Sequence, residues 1–189
     1  MKKLKEKGRD LEKIFFLDQE DKLTELIQRE KDDRDQVIDL MSLSGITKKS
    51  VLDNAIKLGI NPATFSALSL IPLLKVAWAD DFCDKKERKV ILQFAEENGI
   101  KNDSQAYSLL QSWLEKEINS NLFIAWENYL LSLKKTLTKV ELEELKEEII
   151  DRATSVARAS GGFLGIGSIC NEENNVLHEL EIIFKKEEE

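Results

Sequence analysis

The chain has 189 residues, 42% of them hydrophobic, which suffices for a sizeable core in one domain or in one domain with an extension. Its formal net charge of −8 argues against binding to duplex nucleic acid or to an anionic membrane through a basic surface. With two cysteines and one histidine, it is neither a disulfide scaffold nor suited to a Cys/His zinc site.

The N-terminal part is charged and predicted to be helical. Residues 1–18 predict a short helix or an arm, and a helical pattern continues from Gln19 to about Ser44. The stretch 20–34 is read as a solvated face or, alternatively, as an interaction arm or a dimer-forming helix. No targeting segment follows Met1 and no apolar run is long enough to span a membrane, which predicts a cytoplasmic protein without membrane insertion.

Turn signals divide the next part of the chain into short helices. Thr47 is expected to cap a helix that stops at Gly59. Asn61 and Pro62 begin a further helix, which Pro72 should kink or split. Later helices are predicted over residues 84–98, 104–118, 121–135 and 138–160, with a last one around 176–183.

The longest of these helices starts at Thr138, which has capping-box spacing to Glu141. Its apolar positions recur at helical spacing and are predicted to face the core: Leu142, Leu145, Ile149, Ala153 and Val156. Since no part of the sequence shows sustained alternation of polar and apolar residues, the predicted fold class is all-α, with about seven to nine helices.

Two segments of the sequence share one layout. Residues 76–80 followed by 84–87, and residues 156–160 followed by 170–173, each end a helix in Ala-x-Ala and place a Glu at the third position of the next helix. Cys83 and Cys170 are predicted to fall at matching places in these segments. The likeness indicates either an internal repeat or a chance similarity between amphipathic helices.

Residues 77–88, which read AWADDFCDKKER, carry the more specific motif. They resemble the AWADG-x-(I/V)-(D/S)-x-x-E-R signature of TerB-like proteins, relatives of the tellurite-resistance family. Residues 160–167 with 171–173 resemble the second, glycine-containing element of TerB-like proteins of unknown function. The resemblance covers roughly residues 62–185. It implies a TerB-like helical bundle of two helix-turn-helix units over residues 61–189, with an N-terminal helical extension over 1–60.

The sequence departs from this signature at three positions. Asp81 stands where the signature has glycine, Ser160 replaces the acidic residue of the second element, and Cys170 stands where a capping Ser or Asp is expected. These departures bear on any function carried over from the family.

The resemblance implies a non-enzymatic, stress-associated module that binds a divalent cation, calcium or magnesium, through clustered acidic residues. The metal ligands predicted on this basis are Asp80, Asp84 and Glu87. Carboxylates suit such hard cations, although their spacing excludes an EF-hand. The alternative interpretation is structural: Asp84 and Glu87 form a capping box, while Asp80 and Asp81 end a helix where the macrodipole disfavours them.

The second functional hypothesis is a helical protein–protein interaction module that uses no metal. Its predicted partner-binding residues are Phe163, Leu164 and Ile166 in the glycine-rich loop, together with the N-terminal helix. The loop residues would either fold onto the core or present an apolar surface to a protein partner or to a second copy of the chain. The loop lacks the preceding strand and the Lys-Ser/Thr pair of a phosphate-binding P-loop.

Catalysis has little support in the sequence. His178, between Leu177 and Leu180, is predicted to lie at the edge of the core, and a single histidine leaves no basis for a hydrolytic triad. An acid–base enzyme with paired carboxylates is the last alternative. Cys83 and Cys170 are interpreted as reduced, buried thiols, with a redox pair as the alternative.

Overall fold

The computed structural model describes residue 32 and residues 34–160 and 169–186, and every regular element in these ranges is helical. The all-α prediction is therefore confirmed for this part of the chain. The chain divides into two compact units, Met1–Ile38 and Asp39–Glu189. The arm over residues 1–18, most of the helix predicted from Gln19 and the loop residues Phe163, Leu164 and Ile166 lie outside the described residues.

Eight α-helices and one 3₁₀ helix follow one another along the described chain. In chain order they are α1 (34–44), α2 (Lys49–Lys57), the 3₁₀ helix η1 (Phe65–Leu70), α3 (Ile71–Ala77), α4 (Lys85–Glu97), α5 (Gln105–Glu115), α6 (Ser120–Lys134), α7 (Lys139–Ser160) and α8 (Asn171–Lys185). The predicted bounds agree closely with α4 to α7. The predicted boundary between residues 60 and 61 falls inside the second unit, where Ile60 is buried. None of the helices in these ranges has both the length and the apolarity that crossing a membrane requires.

Helices α2 and α4 end with the same glycine-dependent stop. Gly59 has a φ of 93°, and the amide of Ile60 donates to the carbonyl five residues earlier at 3.0 Å. Gly99 has a φ of 79°, and the amide of Ile100 makes the equivalent bond at 2.9 Å. These are Schellman motifs, in which glycine adopts the left-handed conformation at little steric cost. Each motif also buries the isoleucine that follows its glycine.

Two predictions made from local sequence signals, at Pro72 and at Thr47, have different outcomes. Pro72 splits the predicted helix, since η1 ends at Leu70 and α3 begins at Ile71 with Pro72 in its first turn. The missing proline amide breaks no helical hydrogen bond there. The prediction that Thr47 caps α2 is wrong. The N-cap is Lys48, whose side chain makes no capping bond. Helix α2 packs against α6.

Helix α3 lies at the centre of the second unit and packs against α4, α6, α7, α8 and η1. It is apolar on nearly every side, and its buried residues are Ile71, Pro72, Leu73, Leu74, Val76 and Ala77. A helix of this composition needs such enclosure. Burying each large aliphatic side chain contributes about 1.5–3 kcal/mol. Its half-exposed Lys75 donates to Glu179 of α8 at 2.7 Å and lies over the Phe123 ring of α6.

Two polar contacts fix the position of α6. The Ser132 hydroxyl donates to the Ser44 carbonyl at the end of α1, at 2.8 Å. The Lys134 ammonium donates to the carbonyls of Ile183 and Phe184, at 2.9 and 3.0 Å. A cation at the C-terminus of α8 satisfies carbonyls that the helix leaves unpaired and complements the helix dipole.

Candidate functional site

The acidic turn, residues Asp80–Glu87, connects α3 to the first turn of α4. The chain reverses at Asp81, whose φ of 65° is left-handed. Asp80 and Asp81 are exposed, and the Asp80 carboxylate accepts a hydrogen bond from the Phe82 amide at 3.2 Å. The TerB-like signature has glycine at the position of Asp81, and glycine adopts this φ without steric cost. The turn therefore has the backbone conformation for which that glycine is suited.

Helix α4 begins with the capping box that the sequence predicts. Asp84 Oδ1 accepts hydrogen bonds from the amides of Lys86 at 2.6 Å and Glu87 at 2.9 Å. In return, Glu87 Oε2 accepts from the Asp84 amide at 2.7 Å. These bonds satisfy amides that a helix start otherwise leaves unpaired. Two of the three predicted metal ligands are thus engaged by the backbone of their own turn.

Other residues of the segment 77–88 hold the turn in place. Arg88 Nε donates to the Cys83 carbonyl at 3.0 Å, and the Trp78 indole nitrogen donates to the Trp113 carbonyl of α5 at 3.0 Å. Cys83 is 1% exposed, and this burial raises the pKa of its thiol to about 11. Cys83 is therefore a protonated thiol at neutral pH. These three motif residues have structural roles in the turn.

Glu87 is a buried carboxyl, only 2% exposed. Burial raises its pKa to about 7, against the hydrogen bond from the Asp84 amide, which lowers it. The negative charges of Asp84, Glu173 and Asp80 raise this pKa further. The structure therefore brings the three predicted metal ligands into one electrostatic neighbourhood, which Glu173 of α8 shares.

Helix α8 begins in the same way as α4, with cysteine in the place of aspartate. Cys170 Sγ accepts from the Glu173 amide at 3.4 Å, and Glu173 Oε2 accepts from the Cys170 amide at 2.7 Å. Like Glu87, Glu173 is buried. The likeness of the two helix starts agrees with an internal repeat, while the TerB-like arrangement of two helix-turn-helix units stays a prediction.

The position of Cys170 corrects one prediction. Cys170 is the N-cap of its helix, as Asp84 is, so the residue that matches Cys83 is Ile169 and not Cys170. Both cysteines are free thiols, Cys83 buried and Cys170 half-buried. Burial also raises the pKa of the Cys170 thiol.

The geometry of the acidic turn limits what a cation could bind there. Calcium takes about six to eight oxygen ligands, and magnesium requires near-octahedral geometry. Here Asp84, Glu87 and Asp80 all accept hydrogen bonds from backbone amides of the turn. Within residues 34–160 and 169–186, no group of three or more Asp, Glu, His or Cys side chains is arranged to hold a metal ion. The residues fit helix capping better than a coordination sphere, and cation binding stays a prediction.

A second candidate site is an apolar pocket of about 290 Å³ between α6 and α7. Its walls include the half-exposed side chains of Leu133 on α6 and of Leu145 and Ile149 on α7. Helices α6 and α7 both pack against α3, which contributes to the floor between them. The volume is near the lower end of the range for ligand pockets, about 300 Å³. The floor consists of apolar side chains at most 2% exposed: Leu70, Leu73, Trp126 and Leu130.

The polar side chains at the pocket engage one another. Arg152 donates to Asn98 at 2.7 Å and pairs with Glu148 at 2.6 Å. Its guanidinium also lies 5.4 Å from the centre of the Phe94 ring. These contacts connect α7 to the C-terminal end of α4. The polar edge is therefore held in place, and the apolar walls of the pocket are half-exposed.

The structure corrects the prediction that Leu142, Leu145 and Ile149 face the core. Ala153 and Val156, on the same helical stripe, are fully buried. Leu142, Leu145 and Ile149 are half-exposed, and the last two line the pocket. Helical periodicity predicts which face of a helix is apolar and not what lies opposite that face. Helical periodicity therefore contains no signal of the pocket. His178, predicted at the core edge, is exposed on α8.

Comparison with known proteins returned no relative of this chain. No family model matches it, and neither a curated protein nor a solved structure is significantly similar. The TerB-like resemblance of residues 77–88 and 160–173 therefore stays a prediction, and function has to be inferred from the geometry of the two candidate sites.

Proposed function

We propose that this chain is a non-catalytic helical module that binds a protein partner through the apolar pocket between α6 and α7. The observation that supports this function is the half-exposed apolar wall of Leu133, Leu145 and Ile149 above a fully buried apolar floor. Apolar surface in contact with water costs about 25 cal/mol per Å² relative to its burial. A partner side chain that fills the pocket removes this surface from water.

The chemistry of the pocket favours binding over catalysis. A catalytic site directs a nucleophile or an acid–base pair at the reacting atoms. Here the interior is aliphatic and aromatic, while Arg152 is engaged by Glu148 and Asn98. The volume of about 290 Å³ suits one large apolar side chain with some surrounding contact.

An NMR titration with indole, a neutral analogue of the tryptophan side chain, tests this proposal. We expect saturable shifts of the methyl resonances of Leu133, Leu145 and Ile149. The substitution Ile149→Gln should weaken indole binding by about tenfold, because an amide at the wall loses hydrogen bonds with water when the pocket is filled. Leu145→Gln provides the same comparison if Ile149→Gln fails to fold.

The matched control is Ile182→Gln on α8, where the isoleucine is 43% exposed and lies outside the pocket. It should leave the affinity for indole unchanged. Shifts spread over the whole surface, or equal affinities of wild type and Ile149→Gln, would exclude the pocket as the binding site.

Cation binding by a TerB-like, stress-associated module at Asp80, Asp84 and Glu87 is the second candidate function. One observation favours it: the charges of Asp80, Asp84 and Glu173 converge on Glu87, and a cation would reduce their mutual repulsion. Calorimetric titration of metal-free protein with Mg²⁺ and Ca²⁺ tests it. A heat of binding that Asp80→Ala abolishes would support this function. The absence of both heat and thermal stabilisation in the wild type would exclude it.

A further inference from the structure

The α7 side of the pocket carries a row of acidic side chains. Glu141, Glu144 and Glu148 are spaced by three and four residues and therefore lie along one face of the helix. All three are exposed, and Glu148 lines the pocket itself. Leu145 and Ile149 directly follow two of them in sequence, so carboxylates border the apolar wall.

Local cations balance only part of the acidic charge of this segment. From Lys139 to Arg152 the sequence has six acidic and three basic residues. Arg152 pairs with Glu148, and Lys146 pairs with Glu143. The Glu141 carboxylate accepts hydrogen bonds from Thr138 at the start of α7, which leaves Glu144 as the member of the row without such a contact. The formal charge of the whole chain, −8, has the same sign. The α7 edge of the pocket is therefore a region of negative potential.

The opposite edge of the pocket is uncharged. It is formed by Ser69 of η1 and by Tyr129 and Leu133 of α6. The Tyr129 ring packs edge-on against Phe65, with 5.2 Å between ring centres, which holds this edge in place. A ligand that lies between the two edges is oriented by their difference in charge.

The length of the α7 wall matches two turns of a partner helix that lies along it and inserts one side chain. The α7 residues that line it run from Leu145 to Arg152, two helical turns or about 10 Å. An amphipathic helix that binds in a groove inserts apolar side chains spaced three and four residues apart, and its flanking residues contact the edges.

We infer that the partner is a basic amphipathic helix, which places an apolar side chain in the pocket and a Lys or Arg side chain beside Glu144 on the acidic face of α7. This inference rests on the proposed function of the pocket. Charge complementarity decides between partners here, since an acidic helix meets repulsion along α7 and a neutral one gains nothing there.

Three synthetic peptides of equal length and similar helix propensity test the inference. The first has leucines at helical spacing flanked by lysines, the second has glutamates in place of the lysines, and the third has serines in place of the leucines. Binding of each labelled peptide to the full chain is measured by fluorescence anisotropy. At low salt we expect the first to bind about tenfold more tightly than either of the others. Its advantage over the glutamate peptide should shrink in about 0.5 M salt because exposed charges are screened.

Charge reversal on α7 tests where the basic side chains lie. Glu144→Lys should weaken binding of the lysine peptide by about fivefold and leave indole binding unchanged. The matched control is Glu115→Lys, the same charge change at an exposed residue near the end of α5, outside the pocket. Equal losses in the two variants would show an effect of net charge alone and would overturn the role of the α7 edge.

Indole binding separates failure of this inference from failure of the proposed function. If indole binds while the lysine and glutamate peptides bind equally, the pocket is a binding site and the basic partner is wrong. If neither indole nor the lysine peptide binds, both proposals fail. Peptide binding that Ile149→Gln leaves unchanged would place the peptide elsewhere. Self-association of the chain that Ile149→Gln abolishes would identify a second copy as the occupant and overturn the inference.

Discussion

At the acidic turn, carboxylates are directed at backbone amides, whereas at the pocket aliphatic side chains are directed at solvent. Asp84 and Glu87 accept hydrogen bonds from the amides at the start of α4. Arg88 donates to the Cys83 carbonyl of the same turn. Leu145 and Ile149, in contrast, expose apolar atoms to water, and burying these atoms under a partner would be favourable. Helix capping therefore accounts for the conspicuous acidic motif, while the surface that we propose for binding has no sequence motif.

The largest expected effect concerns the buried carboxyl of the acidic turn. The pKa of Glu87 is about 7 in the folded chain, above the ordinary value of 4.5, so the folded state retains a proton that the unfolded state releases between these values. The stability from this proton is fully present below pH 4.5 and is lost as the pH rises through 7. Glu87→Gln removes this loss, and we expect the variant to exceed wild type at pH 8 by up to about 3 kcal/mol.

Urea unfolding followed by tryptophan fluorescence at several pH values between 5 and 8 measures this effect. Glu144→Gln controls for the removal of one carboxyl at an exposed position. Parallel pH dependence of wild type and Glu87→Gln would show that burial of Glu87 does not govern stability in this range.

The next effect separates the two regions directly. Asp84→Ala removes the acceptor of two amides and should lower the free energy of unfolding by about 1 kcal/mol. Indole affinity should remain that of the wild type, because the turn takes no part in the pocket. Asp84→Asn, which keeps a capping oxygen, should lose less stability. A loss of indole binding in Asp84→Ala would show that the turn contributes to the pocket and would contradict its purely structural role.

Opposite outcomes are expected for the two cysteines. Cys170→Ser replaces a weak sulfur acceptor at the N-cap of α8 with a hydroxyl and should stabilise the chain by about 0.5 kcal/mol. Cys83→Ser places a hydroxyl in a site that is 1% exposed and should destabilise it. Thermal unfolding of both variants checks this pair, and a shift of the same sign in both would contradict the assignment of Cys170 as the cap.

The smallest effect is expected at Asp81, where the backbone is left-handed. Asp81→Gly should raise the stability by a few tenths of a kcal/mol, since glycine has no Cβ to strain. Asp81→Ala should lower it, because alanine lacks both this freedom and the local hydrogen bonding of aspartate. Equal melting temperatures of the two variants would exclude backbone strain at this turn.

Local signals predicted much of the fold. Gly59 and Gly99 end their helices as expected, Pro72 separates η1 from α3, and Thr138 with Glu141 starts α7. These features depend on residues close together in sequence, so the sequence contains the necessary information. Thr47 is not the cap, because α2 begins one residue later than predicted, with Lys48 at the N-cap and no side-chain capping bond.

The sites were predicted less well, for a physical reason. The capping role of Asp84 and Glu87 is local and was confirmed, but the burial of Glu87 near Glu173 depends on how distant segments pack. The pocket depends on the separation of α6 and α7 above α3, which neither helix encodes by itself. Leu145 and Ile149 therefore resemble core residues in the sequence although the structure gives them a half-exposed surface.

Intermolecular NOEs between indole and the methyl groups of the labelled chain show directly whether indole binds in the pocket. We predict NOEs at saturating indole to Leu133, Leu145 and Ile149, which line the pocket. Their loss in Ile149→Gln and their persistence in Ile182→Gln would agree with binding in this pocket. NOEs confined to exposed apolar residues elsewhere, such as Phe82 or Ile182, or no NOEs at all, would contradict it.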